Sequence, residues 1–256
     1  MKKQLNLAVL SAATASIAAT TASAAVLYEA NFEAPTFTSG ASVFGQDGWD
    51  ATDNTWDVID QLGNNVVSYE VNGVDNNPSN DGQISRTFAS QTGDLYFAVD
   101  VAFGNAEFVW FNFSDDTDDN NSLGFTSTND GGPAVRSRGR DGSSVNGGNV
   151  SVGNALNTIV LKASKSDPSG NYDTVELFLN PGSTEPLVAD SSIVVDTGIS
   201  ALDTFRVRRG GGGVSRAPEV TIDSLRIATT YAEVIPEPAS ATALSVLGLL
   251  SLRRRR

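Results

Sequence analysis

Arginine recurs at every second position in two places, Arg136-Ser-Arg138-Gly-Arg140 and Arg206-Val-Arg208. On an extended strand that period puts each set on one face, where guanidinium forks take carboxylate or sulfate groups through paired hydrogen bonds. In a chain this acidic, the competing reading is cross-strand pairing with Asp or Glu on a solvated sheet. Asp116, Asp118 and Asn120 sit in the densest oxygen-rich stretch, Ser114 to Asn121, with the alternating spacing that opens calcium loops. The glycine and closing bidentate Glu of an EF-hand are missing, which leaves a solvated hairpin tip or a calcium site. Trp49 follows the turn Gly45-Gln-Asp-Gly48 and is a candidate platform for stacking on sugar rings. Trp110, between Phe108 and Phe111, reads as core.

What is missing narrows the chemistry further. The 256 residues contain neither His nor Cys, which removes disulfides, Ser-His and Cys-His nucleophile systems, and the usual zinc or copper ligands. No cofactor is indicated beyond calcium, because any metal here must be a hard, oxygen-ligated one. Formal net charge is −13, and setting aside Lys2, Lys3 and Arg253 to Arg256 makes the remainder more acidic still. Such a surface argues against nucleic acid or anionic lipid as partners. The glycine run Gly210–Gly213 beside Arg209 lacks the Lys-Ser/Thr of a phosphate loop.

These side chains need a scaffold, and alternation supplies it. Asn64–Val71, Asp94–Phe103, Glu107–Phe113, Thr158–Ala163, Tyr172–Leu179, Thr204–Arg208 and Val220–Ile227 are runs of apolar and β-branched residues. Turn clusters such as Asp167-Pro-Ser-Gly170 and Asn180-Pro-Gly182 separate them. The Asp94 and Glu107 runs are expected to pair across a turn at Gly104-Asn105. With about a dozen strands and no helical period between residues 26 and 234, the fold class is an all-β, two-sheet antiparallel sandwich.

Both termini carry processing signals. Lys2 and Lys3, an Ala/Thr/Leu stretch and Ala22-Ser-Ala24 fit an export leader over residues 1–24, cleaved after Ala24 or Ala25. At the other end Pro236-Glu237-Pro238 precedes an uncharged run, Ala239 to Leu252, and then Arg253, Arg254, Arg255 and Arg256. As a helix that run spans about 21 Å against about 30 Å of hydrocarbon, a short span. The arginine stems extend it and hold its end on the cytoplasmic side.

The order Pro-Glu-Pro, short apolar helix, Arg cluster resembles the PEP-CTERM sorting signal, here residues 235–256. The resemblance implies cleavage near Pro236-Glu237-Pro238 by an exosortase-type membrane protease, transient membrane insertion, and delivery to the cell surface or extracellular matrix. For residues 26–234, Leu27-Tyr-Glu-Ala-Asn-Phe-Glu33, Gly45-Gln-Asp-Gly-Trp49 and Val220-Thr-Ile-Asp-Ser-Leu-Arg-Ile227 resemble a concanavalin A-like (laminin G-like) jelly roll. That fold places the first and last strands side by side. Its hydrolases carry a Glu-x-Asp-x-(x)-Glu strand motif that this sequence lacks, so the expectation is no enzyme. The expected role is a structural, adhesive or glycan-binding protein with extracellular polysaccharide as partner. A lectin-like module of defined sugar specificity, or a glycoside hydrolase, is the alternative.

Overall fold

The computed structural model describes residues 25–51, 56–61, 64–69, 83–105, 108–115, 121–128, 132–209 and 219–235. Strands occupy the runs where β-branched and aromatic residues pack best on a pleated surface. In chain order they are β1 (Val26–Ala30), β2 (Ala41–Ser42), β3 (Asp50–Ala51), β4 (Trp56–Gln61), β5 (Asn64–Tyr69) and β6 (Gln83–Gln91). Next come β7 (Leu95–Asn105), β8 (Val109–Ser114), β9 (Asn121–Thr128), β10 (Ala134–Asp141), β11 (Ser143–Asn146) and β12 (Val150–Ser151). They are followed by β13 (Asn157–Ser164), β14 (Thr174–Leu179), β15 (Ser191–Val194), β16 (Leu202–Arg209), β17 (Glu219–Ala228) and a short helix α1 (Tyr231–Val234).

Two antiparallel sheets result. The nine-stranded sheet runs β15-β14-β13-β7-β17-β5-β4-β2, with β1 added against β17; the eight-stranded sheet runs β11-β10-β9-β8-β16-β6-β3, with β12 against β10. The molecule is the expected two-sheet jelly-roll sandwich, and β1 lies beside β17 from Val26–Ala228 to Ala30–Leu225. One pairing differs from expectation. Gly104 and Asn105 belong to β7 itself, and β8 lies in the opposite sheet. The reason is that β7 already hydrogen-bonds along both edges, to β13 and to β17. No edge is left for β8, so the two apolar strands meet face to face.

Aromatic rings fill that interface. Phe97 of β7 enters a cluster from the other sheet, 4.6 Å from Phe205, 6.0 Å from Phe113 and 6.2 Å from Phe125 between ring centroids. Phe111 and Phe125 stack at 4.7 Å. Each fully buried ring contributes about 1.5–3 kcal/mol by removing apolar area from water. Leaving the core, the far face of the nine-stranded sheet carries a second apolar cluster of Tyr96, Ala98, Val160 and Phe178 beneath Tyr231 and Val234 of α1. Glu185 ties the neighbouring loop down, accepting from Lys162 Nζ at 3.0 Å and from the Tyr96 hydroxyl at 3.1 Å. That part of the face is therefore roofed.

Among the described residues no helix is long and apolar enough to cross a membrane. The leader with Ala22 and Ala24, the Pro236-Glu237-Pro238 motif, the apolar segment and Arg253 to Arg256 all lie outside the described residues, as do Asp116, Asp118 and Asn120.

Candidate functional site

Period two puts Phe111, Phe113, Leu123, Phe125, Val135, Phe205 and Val207 on the core side of the eight-stranded sheet. The intervening residues face the other way. Register then decides which of them meet, since directly opposed residues share a face. One cross-strand row reads Asn146–Arg138–Gly124–Asn112–Arg206–Ser85–Asp50. The next reads Arg136–Thr126–Trp110–Arg208–Gln83. A third contains Ser144–Arg140–Ser122, in line with Ser114–Thr204–Thr87.

Arg136, Arg138 and Arg140 thus do share a face of β10, and the structure brings Arg206 and Arg208 of β16 onto it. None of the residues directly opposite these arginines on β8 or β9 is acidic; they are Thr126, Gly124, Ser122, Asn112 and Trp110. Arg136, Arg140, Arg206 and Arg208 also take part in further interactions of their own. Gly124 is required between the two ladders, because a Cβ there would collide with the carbonyl of Phe111.

Arg138 is the centre of this arrangement. Its guanidinium lies over Phe108 at 4.7 Å and over Trp110 at 4.6 Å from the ring centroids, a cation–π geometry. One terminal nitrogen donates to Ser144 Oγ at 2.6 Å. Burial, followed by the charges of Arg136, Arg140 and Arg208, depresses its pKa to about 10. Burial and these like charges act against its positive charge, while the two ring faces and the Ser144 hydroxyl favour it.

Trp110 is buried, as expected, yet not between the sheets. It is 3% exposed on the arginine-bearing face, and its indole Nε1–H has no hydrogen-bond partner among the described residues. The hydroxyls of Ser114 and Ser122, on the same face, are in the same state. A buried donor without an acceptor costs about 1–3 kcal/mol.

Trp49 is a correction. Its ring is 2% exposed and packs against Tyr28, Phe32 and Phe205 at centroid distances of 6.0, 6.4 and 6.4 Å. Gly45 and Gly48 take φ values of 76° and 72°, conformations open to glycine, and the resulting turn folds the ring inward. It cannot stack on an external sugar. No group of three or more His, Cys, Asp or Glu able to hold a metal occurs among the described residues.

A separate cavity of about 280 Å³ opens on the far side of the nine-stranded sheet, lined in part by Asp100, Thr158, Ser224, Glu29 and Arg226. There Asp100 accepts from Thr158 Oγ1 at 2.5 Å and Ser224 Oγ at 2.7 Å, and Arg226 pairs with Glu29. Its polar groups already serve one another, so the arginine-bearing face is the better candidate.

No protein-family model and no curated protein matches the chain. Solved structures do. A sialidase superposes with a TM-score of 0.50 at 11% identity, over 81% of this chain and 19% of that one. The GH43 protein BlXynB from Bacillus licheniformis gives 0.50 at 12%, over 77% of this chain and 40% of the other. An uncharacterised protein from Mycobacterium paratuberculosis gives 0.51 at 9%, over 78% and 99%. The chain shares their fold, a two-sheet jelly-roll sandwich. This chain spans about a fifth of the sialidase. Since a sialidase and a GH43 protein use this sandwich, the expectation that the chain is no enzyme, which rested on a missing strand motif, does not stand.

Proposed function

We propose that this protein engages polysaccharide on the outer face of its eight-stranded sheet. One observation carries the reading: Arg136, Arg138 and Arg140 of β10 and Arg208 of β16 stand half-buried on one sheet face turned away from the core, over Trp110, Asn112 and Thr126, which are themselves buried. Guanidinium groups at such a surface hydrogen-bond the hydroxyl and acidic groups of polysaccharides. Binding of the full chain to immobilised polysaccharides, weakened when Arg138→Gln or Arg208→Gln is introduced, tests it. Retention unchanged by both variants would move the site elsewhere.

A second reading is that the bound chain is also cleaved, and the shared sandwich of a sialidase and a GH43 protein supports it. Incubating the protein with the same polysaccharides and following reducing ends separates the two: new ends assign catalysis, and unchanged chain length leaves binding.

Export and sorting belong to the same proposal and rest on sequence. Leader, Pro236-Glu237-Pro238, apolar run and Arg253–Arg256 place the sandwich outside the inner membrane, where an exosortase-type protease releases it to the surface or matrix. Alanine at Pro236, Glu237 and Pro238 should leave the protein in the membrane fraction. Calcium bound by Asp116, Asp118 and Asn120 would stabilise the native state, and a saturable rise in Tm with calcium, reversed by EDTA, is the outcome this requires.

A further inference from the structure

We infer that the loop tip Leu187-Val188 rests in the headgroup layer of a zwitterionic bilayer, so that the sandwich stands on the membrane beside its own tether. The inference rests on the sorting reading, in which Ala239 to Leu252 enters the membrane, and adds how the folded body sits there. Leu187 is fully exposed and Val188 80% exposed, the two most exposed large apolar side chains among the described residues. Single apolar residues at a surface need no explanation. These two are adjacent, and Pro186 to Ala189 carries no charge.

The tip is held at both feet. On one side Glu185 accepts from Lys162 Nζ and from the Tyr96 hydroxyl. On the other, the Asp190 amide donates to the Leu177 carbonyl at 2.9 Å, and Asp190 Oδ2 accepts from the Leu179 amide at 2.7 Å. The Tyr231 hydroxyl donates to the Gly182 carbonyl at 2.6 Å, which fastens the loop to α1. An apolar pair on such fixed feet stays presented to whatever lies outside.

The position of the tether says what that is. Ala189, next to the tip, and Ile235 pack against the same apolar cluster beneath α1. Pro181 of the same loop and Ile235 also line one cavity. Arg226 donates to the Glu233 carbonyl at 3.0 Å, so the chain is fixed to the sandwich close to Ile235. From there to Ala239 is four residue steps, at most about 14 Å. A headgroup layer is about 5–7 Å thick on each side of the hydrocarbon. An apolar run that enters the membrane at Ala239 therefore draws this end of the sandwich against the lipid surface, where an exposed Leu and Val can leave water. Net charge −13 repels anionic lipid, so an apolar contact with a zwitterionic surface is the one that fits. Two side chains bind weakly by themselves, which suits a body that is freed once its tether is cut.

The chain has no Cys, so Val188→Cys in the full chain carries a single environment-sensitive dye. The labelled protein is reconstituted into phosphatidylcholine vesicles with plain or brominated acyl chains. Blue-shifted emission and at least twofold quenching by the brominated lipid are expected, both unchanged by salt. Ser90→Cys is the control and should show neither. Its neighbour Gln91 accepts from the hydroxyl of Tyr172, which precedes β14, whereas the tip follows that strand. Adding Leu187→Asp should return the Val188 dye to the Ser90 level without lowering Tm, because that side chain is fully exposed.

A chain that does not float with the vesicles would sink the membrane reading and this one together. A chain that floats while the Val188 dye stays in water would overturn this inference alone. Quenching that survives Leu187→Asp would show the dye carried in by the tether, with no contact made by the loop. A blue shift that grows with protein concentration and ignores brominated lipid would seat a second copy on the tip and overturn the lipid assignment.

Discussion

Trp49 donates its indole N–H to the Tyr28 hydroxyl at 2.8 Å, and Tyr28 donates in turn to Asp47 Oδ2 at 2.8 Å. The chain of bonds runs from the core to the turn that precedes the tryptophan, locking the first strand against β16. Trp49→Ala should cost about 3–5 kcal/mol in urea unfolding, as for other large core deletions. Tyr28→Phe keeps the volume but strands the indole N–H, for about 1–3 kcal/mol. A Trp49→Phe protein that folds should bind glycan as before; loss of binding without loss of stability would return Trp49 to the site.

The two sheets are also joined at an edge. Ser137 Oγ of β10 lies 2.9 Å from Ser191 Oγ of β15, and the Ser137 amide donates to that same oxygen at 3.1 Å. Both residues are buried. Ser191→Ala leaves the Ser137 amide and hydroxyl unsatisfied and should cost about 1–3 kcal/mol. Ser137→Ala should cost less, and the double variant less than the sum of the singles. Strict additivity in a double-mutant cycle would show that the pair is uncoupled.

Asp223 gives a pH dependence of definite sign. It sits at the register shift between Ile222 and Ser224 of β17. Burial, then the charges of Asp100 and Glu33, hold its carboxyl above the ordinary value of 3.8. The folded state therefore disfavours the charged form. The penalty is present at neutral pH and fades as pH falls through the raised value. Asp223→Asn should raise Tm at pH 7 by about 1–2 °C, solvent screening keeping the gain small. The advantage should shrink when the melts are repeated near pH 4. A variant less stable at pH 7 would refute this assignment.

Local alternation was enough to mark β8 and β16 but not β9, and β10 showed only in the period of Arg136, Arg138 and Arg140, which puts them on one face once that segment is a strand. Period two is a property of the extended backbone itself and needs no neighbours. The same reasoning made Trp110 a buried residue. It could not say that its burial lies outside the core, because alternation separates two faces without naming which one meets the other sheet.

Partnership between strands is another matter. It depends on which edges remain open after the long-range contacts form, and that sent β8 away from β7 and beside β16. Arg138 and Arg206 are far apart in sequence, and only the order β10-β9-β8-β16 sets them in one row. Trp49 shows the same limit: a turn with two left-handed glycines permits an exposed ring or an inward one, and the hydroxyl of Tyr28 decides for the core. The sequence alone determined an all-β sandwich and which residues share a strand face. The tertiary structure decided which faces carry chemistry, because strand pairing and burial are set by contacts between segments that no local pattern records.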